Sequence, residues 1–260
     1  MVFNMAKVRV AILRGPGTNC DVETAFAFEL AGALAECVHI NEFIRKEKFL
    51  SNYQILTIPG GFTYGDDISA GKILANELRL KLVDDIKAFI GDGKLVLGIC
   101  NGFQVLVKAG ILPTPFEDCP QQLTLTVNDS GKFECRWVYL SVNETAPCIF
   151  TKGVRHVYLP VAHAEGKVVV EPGVRQHLNI VLQYTDETGN TKASYPYNPN
   201  GSVLNIAGIC DESGHVFALM PHPERHVLGV QHPRWTREGQ KKFGDGFSIF
   251  LNAIRWAEKI

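Results

Sequence analysis

Between residues 7 and 110, short apolar runs alternate with segments of helical period, and this alternation constrains the fold more than any other feature of the chain. Residues 8–13, 35–40, 54–58 and 94–99 are β-branched or aliphatic runs of strand length. From residue 23 onward Ala27, Leu30, Ala31 and Leu34 recur at helical spacing, and residues 73–90 and 103–109 also read as helices. The run at 94–99 is too apolar to face water, and runs apolar on both faces need a sheet that is covered on both sides. The expected fold is therefore α/β: a doubly wound, mostly parallel sheet with helices on both faces.

Beyond Gly110 the texture changes. Residues 123–127, 132–142, 167–170 and 180–184 are short strand-like pieces broken by Pro, Gly and Asn, which predicts antiparallel additions in the second half. Tyr195-Pro196-Tyr197-Asn198-Pro199-Asn200-Gly201 reads as a stiff loop. Residues 202–210 and 215–220 form a hairpin around Glu212-Ser213-Gly214. Phe247, Phe250, Leu251 and Ile254 mark a closing helix over 246–260. The 260 residues are read as one domain, 1–260, with its core from about residue 7 and a C-terminal extension at 226–260.

Composition removes several classes of function. A chain with 46% hydrophobic and 20% charged residues folds rather than staying disordered, and a net charge of -1 offers no basic field for nucleic acid. The start of the chain carries charge within its apolar run and lacks a cleavage site, and no stretch reaches the ~18 apolar residues of a membrane span. Seven scattered cysteines, with no C-x-x-C pair, fit reduced thiols in the cytoplasm. The sequons at Asn128, Asn143 and Asn200 then read as chance matches. No H-E-x-x-H spacing and no acidic cluster suggests a metal site.

The most informative motif is Gly98-Ile99-Cys100-Asn101-Gly102-Phe103-Gln104, at the end of the most apolar strand and the start of a helix. A G-x-C-x-G turn in that setting has the form of a nucleophile elbow, and a helix N-terminus favours thiolate over thiol. Cys100 is the candidate nucleophile; the plain alternative is a small buried side chain. A thiolate needs a proton carrier, and Met220-Pro221-His222-Pro223-Glu224-Arg225, also after a strand, offers His222 with Glu224 to orient it. Standing alone, that segment reads rather as an exposed proline-rich turn, and it gains its meaning only together with Cys100. Gly60 and Gly61, after the third strand, expose backbone N–H groups that suit a developing oxyanion, with the N–H of Asn101 as a second donor. Gly15-Pro16-Gly17-Thr18-Asn19-Cys20 lacks the Gly-Lys-Ser/Thr ending of a phosphate loop and reads as a plain βα turn.

Pro-Gly-Gly, then G-I-C-N-G-F-Q, then P-H-P-E, in that order, resembles the class I (triad) glutamine amidotransferases over essentially the whole chain. The segments Gly61-Phe62-Thr63-Tyr64-Gly65-Asp66, Cys135-Arg136-Trp137-Val138, Pro160-Val161-Ala162-His163-Ala164-Glu165-Gly166 and Asn198-Pro199-Asn200-Gly201-Ser202 narrow it. With P-H-P-E-R they are similar to the glutaminase subunits of phosphoribosylformylglycinamidine synthase. The resemblance implies a catalytic triad of Cys100, His222 and Glu224. It also implies glutamine binding by Gly60, Gly61, Asn101 and Gln104 and by the backbone near His163 and Glu165. Further, it implies no cofactor on this chain, with ATP and Mg used by a partner. The implied partners are the large subunit of formylglycinamidine ribonucleotide synthetase and a small bridging subunit, to which ammonia passes. An amidotransferase for another acceptor, a cysteine peptidase or thiol-stress protein, and a catalytically silent regulatory subunit are the competing readings. The shorter members of the subfamily end soon after P-H-P-E-R, so 226–260 is expected to serve packing or subunit contact.

Overall fold

The computed structural model describes residues 7–115 and 121–260; Cys119 lies outside them. The strands are β1 (Arg9–Arg14), β2 (Leu34–His39), β3 (Ile55–Ile58), β4 (Leu95–Ile99), β5 (Leu123–Thr126), β6 (Glu134–Val142), β7 (His156–His163), β8 (Lys167–Val170), β9 (Asn179–Thr185), β10 (Ile206–Cys210) and β11 (Val216–Leu219). The helices are α1 (Asp21–Leu30), α2 (Ile40–Ile44), α3 (Lys72–Lys81), α4 (Val83–Gly91), α5 (Asn101–Lys108), α6 (Trp235–Glu238) and α7 (Phe247–Ala257). None of the described helices is long and apolar enough to cross a membrane.

Nine strands form one sheet in the order β2-β1-β3-β4-β11-β10-β9-β6-β7. From β2 to β11 the neighbours are parallel, and from β11 to β7 they are antiparallel. The antiparallel strands thus extend the same sheet, and among the described strands β5 and β8 pair separately. Every residue of β3, β4, β10 and β11 is buried, as their unbroken apolar runs require. In β7, buried residues alternate with more exposed ones, the signature of a strand with one face on the core. Stepping from β1 to β2 and from β3 to β4 runs in opposite directions across the sheet, so right-handed crossovers put α1 and the α3–α4 pair on opposite faces. On the first face Phe28 of α1 meets Phe250 of α7 edge to face, with ring centroids 4.9 Å apart. One hydrophobic core runs from Val8 to Ala257 and takes in the segment after residue 226 through Val227, Ile249, Phe250 and Ala253.

Two expectations needed correction. The single helix expected at 73–90 is two, broken at Leu82 (φ -130°, ψ 9°). The break keeps Leu78, Leu82 and Ile86 in the core, while Asp84 and Asp85 fall in the first turn of α4, where its N-terminal partial charge favours them. Strand β7 went unread because Pro160 interrupts it. At the edge of a sheet a missing N–H breaks no ladder, and the Pro160 carbonyl still accepts a hydrogen bond from the His222 N–H (2.8 Å).

Register decides where the site lies. Ile58 is level with Gly98, and Leu219 is level with Ile99, so the turns leaving β3, β4 and β11 emerge side by side at the C-terminal edge of the parallel strands.

Candidate active site

Cys100 stands at the junction of β4 and α5 with φ 51° and ψ -103°, a conformation that L-residues seldom adopt. Its own N–H is held by the Leu219 carbonyl (2.8 Å), and its carbonyl accepts from the amides of Phe103 and Gln104. The amides of Asn101 and Gly102 lie in the first turn of α5, where an N–H has no intrahelical acceptor. The flanking glycines are required by space. A Cβ on Gly102 would lie 1.9 Å from the Ile58 carbonyl oxygen, and one on Gly98 would lie 2.6 Å from Leu106. The Cys100 thiol is buried and contacts the Ala162 carbonyl at 3.8 Å.

His222 follows β11 and is buried, as is Glu224; His222 Nδ1 and Glu224 Oε1 are 2.5 Å apart. Burial pushes the imidazole toward neutrality, but the Glu224 carboxylate and the neighbouring Cys100 and Cys20 thiols outweigh it and hold its pKa well above the ordinary value. Nε2 of His222 and Oε2 of Glu224 are buried and make no hydrogen bond among the described residues. The imidazole is therefore anchored through one nitrogen and uncommitted at the other, the arrangement a proton carrier needs.

The other predicted site residues converge on the same place. Gly60 packs so closely that a Cβ there would lie 2.7 Å from His222 Cε1, and Gly61 bridges to Thr18. The Asn101 side chain accepts from Thr63 Oγ1 (2.5 Å) and donates to Gln104 Oε1 (2.9 Å) and Asp66 Oδ1 (3.3 Å). Gln104 Nε2 in turn donates to the Glu165 carbonyl (2.5 Å), while a Glu165 carboxylate oxygen accepts from the Ala70 N–H (3.2 Å). His163 is buried against Asn128, with Nδ1 3.2 Å from Oδ1. Burial, reinforced by the positive charge of His222, pushes its pKa down to about 3, so this histidine is neutral.

Two residues of this centre, Lys108 and Cys20, carried no signal of their own in the sequence, and Asp66 stood out only within the segment 61–66 that narrows the resemblance. Lys108 is buried at the end of α5, and its ammonium holds the Ala70 carbonyl (2.5 Å) and Ser69 Oγ (3.1 Å). Asp66, half-buried beside Glu165, has its pKa raised to about 6 by desolvation first and by that carboxylate second. Cys20, from the turn after β1, lies against His222 and Glu224, with ligand-type atoms of all three within 4.8 Å of one another. Only its place after a parallel strand, at the edge where sites collect, pointed there. Although the sequence suggested no metal site, these are metal-ligand residue types. The set is nonetheless a poor cation cradle, because the Arg225 guanidinium lies 3.0 Å from Cys20 Sγ and the histidine and glutamate are engaged with each other.

The likenesses to known proteins agree with this geometry. Residues 7–257 match the CobB/CobQ-like glutamine amidotransferase domain. The chain is 57% identical over 256 residues to phosphoribosylformylglycinamidine synthase subunit PurQ of Dehalococcoides mccartyi, covering 98% of this chain and 100% of that one. It is 45% identical to the subunit of the same name from Archaeoglobus fulgidus, covering 98% of each. Its fold superposes on a chain of PurLQS from Thermotoga maritima with a TM-score of 0.75 at 32% identity, covering 96% of this chain and 99% of that one. With a cysteine elbow and a His-Glu pair at one sheet edge and a family match over residues 7–257, the chain belongs to the PurQ family of glutamine amidotransferase subunits.

Proposed function

We propose that this chain is the glutaminase subunit of a phosphoribosylformylglycinamidine synthase, a cytoplasmic enzyme of purine biosynthesis. It hydrolyses glutamine to glutamate and ammonia and hands the ammonia to a synthetase. The observation that carries the reading is the buried His222–Glu224 pair, 2.5 Å apart, beside a thiol held at positive φ in the elbow.

Cys100 Sγ attacks the side-chain amide carbon of glutamine, and the oxyanion that forms is received by the N–H groups of Gly61 and Asn101. His222, whose raised pKa favours the imidazolium, gives a proton to the departing ammonia and then takes one from the water that cleaves the thioester. Glu224 keeps Nδ1 engaged so that Nε2 carries the proton traffic. Gln104 and the backbone of 163–165, already joined by a hydrogen bond, hold the substrate.

The names of the relatives support a large synthetase subunit and a small bridging subunit as partners. In the reaction proposed, that synthetase uses ATP and Mg to convert formylglycinamide ribonucleotide to the amidine, and this chain needs no cofactor of its own. In the reconstituted complex, Cys100→Ala is expected to abolish glutamine-dependent synthesis and to leave ammonia-dependent synthesis intact. Glutamine-driven turnover by that variant would refute the thioester route.

A further inference from the structure

The turn Gly15-Pro16-Gly17-Thr18-Asn19-Cys20 is more than a connection between β1 and α1. It is laced to the oxyanion loop by three backbone hydrogen bonds: Phe62 N–H to Gly17 O (3.0 Å), Tyr64 N–H to Pro16 O (2.7 Å) and Cys20 N–H to Gly60 O (3.2 Å). Cys20 closes this lacing and is itself buried. Its thiol accepts from Arg225 Nη2 (3.0 Å) and donates to Asn19 Oδ1 (3.2 Å). Arg225 is tethered in turn to Glu23 (3.2 Å) and lies 3.8 Å from the Glu224 carboxylate. A Cβ on Gly60 would meet His222 Cε1 at 2.7 Å and Cys20 Sγ at 3.1 Å, so thiol, glycine backbone and imidazole share one tightly packed spot.

We propose that Cys20 is a positioning residue for glutamine hydrolysis: its backbone fixes the oxyanion loop, and its thiol, gripped by Arg225 and Asn19, fixes the His222–Glu224 pair against that loop. The inference rests on the glutaminase reading of the site. Cys20 touches both halves of the machinery, the oxyanion donors through its backbone and the base through its thiol, and these halves arrive from different strands. It does so as a neutral thiol. Burial pushes its pKa up despite the nearby cations, and a neutral thiol can accept from Arg225 and donate to Asn19 at once. The site thus holds two thiols with different tasks, Cys100 to react and Cys20 to hold.

The test uses the reconstituted synthase carrying Cys20→Ala or Cys20→Ser, assayed with glutamine and with ammonia. Cys20→Ala is expected to lower the glutamine-dependent kcat by about tenfold to a hundredfold, with KM for glutamine within about twofold. Ammonia-dependent synthesis is expected to stay at the wild-type level. The His222 imidazole, followed by NMR, should titrate at lower pH in that variant. Cys20→Ser, which keeps a donor and an acceptor, should recover most of the loss. Wild-type kcat in the alanine variant, equal impairment of alanine and serine variants, or loss of the ammonia-dependent rate would each overturn the proposal. A glutamine-analogue chloroketone that labels Cys100 in every variant keeps the glutaminase reading standing even if the role of Cys20 fails.

Discussion

The elbow at residues 98–102 and the loop at 62–71 lie at the same sheet edge and both hold non-glycine residues at positive φ, yet they are held there by different forces. In the elbow one residue, Cys100, is strained, and burial holds it: every residue of β4 is buried and α5 is buried from end to end. In the loop Tyr64, Asp66 and Ile68 have φ of 56°, 54° and 69°, each costing about 1–2 kcal/mol, and apolar packing does little to hold them. Polar ties from elsewhere do so: Tyr64 to Glu77, Asn101 to Asp66, the Ala70 N–H to Glu165, and Lys108 to the Ala70 carbonyl. Strain held by packing is insensitive to solution conditions, whereas strain held by charges changes with protonation and with a neighbouring surface.

Breaking the elbow should have the largest effect. Gly102→Ala drives a methyl group into the Ile58 carbonyl and is expected to cost about 3 kcal/mol or more, read as a lower denaturation midpoint together with lost labelling of Cys100. Lys108→Met should separate the two regions. It removes the loop's main tie while keeping the length of the side chain, so kcat/KM for glutamine should fall about tenfold while stability drops by only about 1 kcal/mol. A stability loss as great as that of Gly102→Ala would mean that the loop is part of the core after all.

The pH dependence of the loop follows from Asp66. Its pKa of about 6 lies above the ordinary 3.8, so between those values the folded chain holds a proton that the unfolded chain has released. Stability contributed by that proton falls as pH rises through the window and is gone above about 6. Asp66→Asn should remove this slope and stabilise the chain above pH 6 by about 1 kcal/mol once solvent screening is allowed for, as thermal melts across pH would reveal. The smallest effect is expected from Ile68→Gly. Ile68 is 86% exposed at a φ of 69°, so glycine relieves strain without losing packing and should raise stability by up to about 1 kcal/mol.

The elbow was legible because its causes are local. An apolar run ending in G-x-C-x-G contains both the buried strand and the space that the turn needs. The same holds for His222 and Glu224, whose two-residue spacing after a strand already suggested a pair. Strand β7 was hidden because Pro160 forbids a central strand, and only the sheet order reveals that this one lies at an edge. Lys108 and Cys20 were illegible for a related reason. A lysine in an apolar helix and a cysteine in a glycine turn acquire a role only through partners 38 and 205 residues away.

The sequence by itself therefore determined the α/β class, the parallel half of the sheet, the elbow that carries Cys100 and the His222–Glu224 pair, since hydrophobic period and turn chemistry act over a few neighbouring residues. Tertiary structure alone decided that the antiparallel strands continue the same sheet, that helix 73–90 breaks at Leu82, and that Cys20, Arg225 and Lys108 close around the site. These depend on register and on contacts between distant segments, which form only when β1, β3, β4 and β11 come level at one edge.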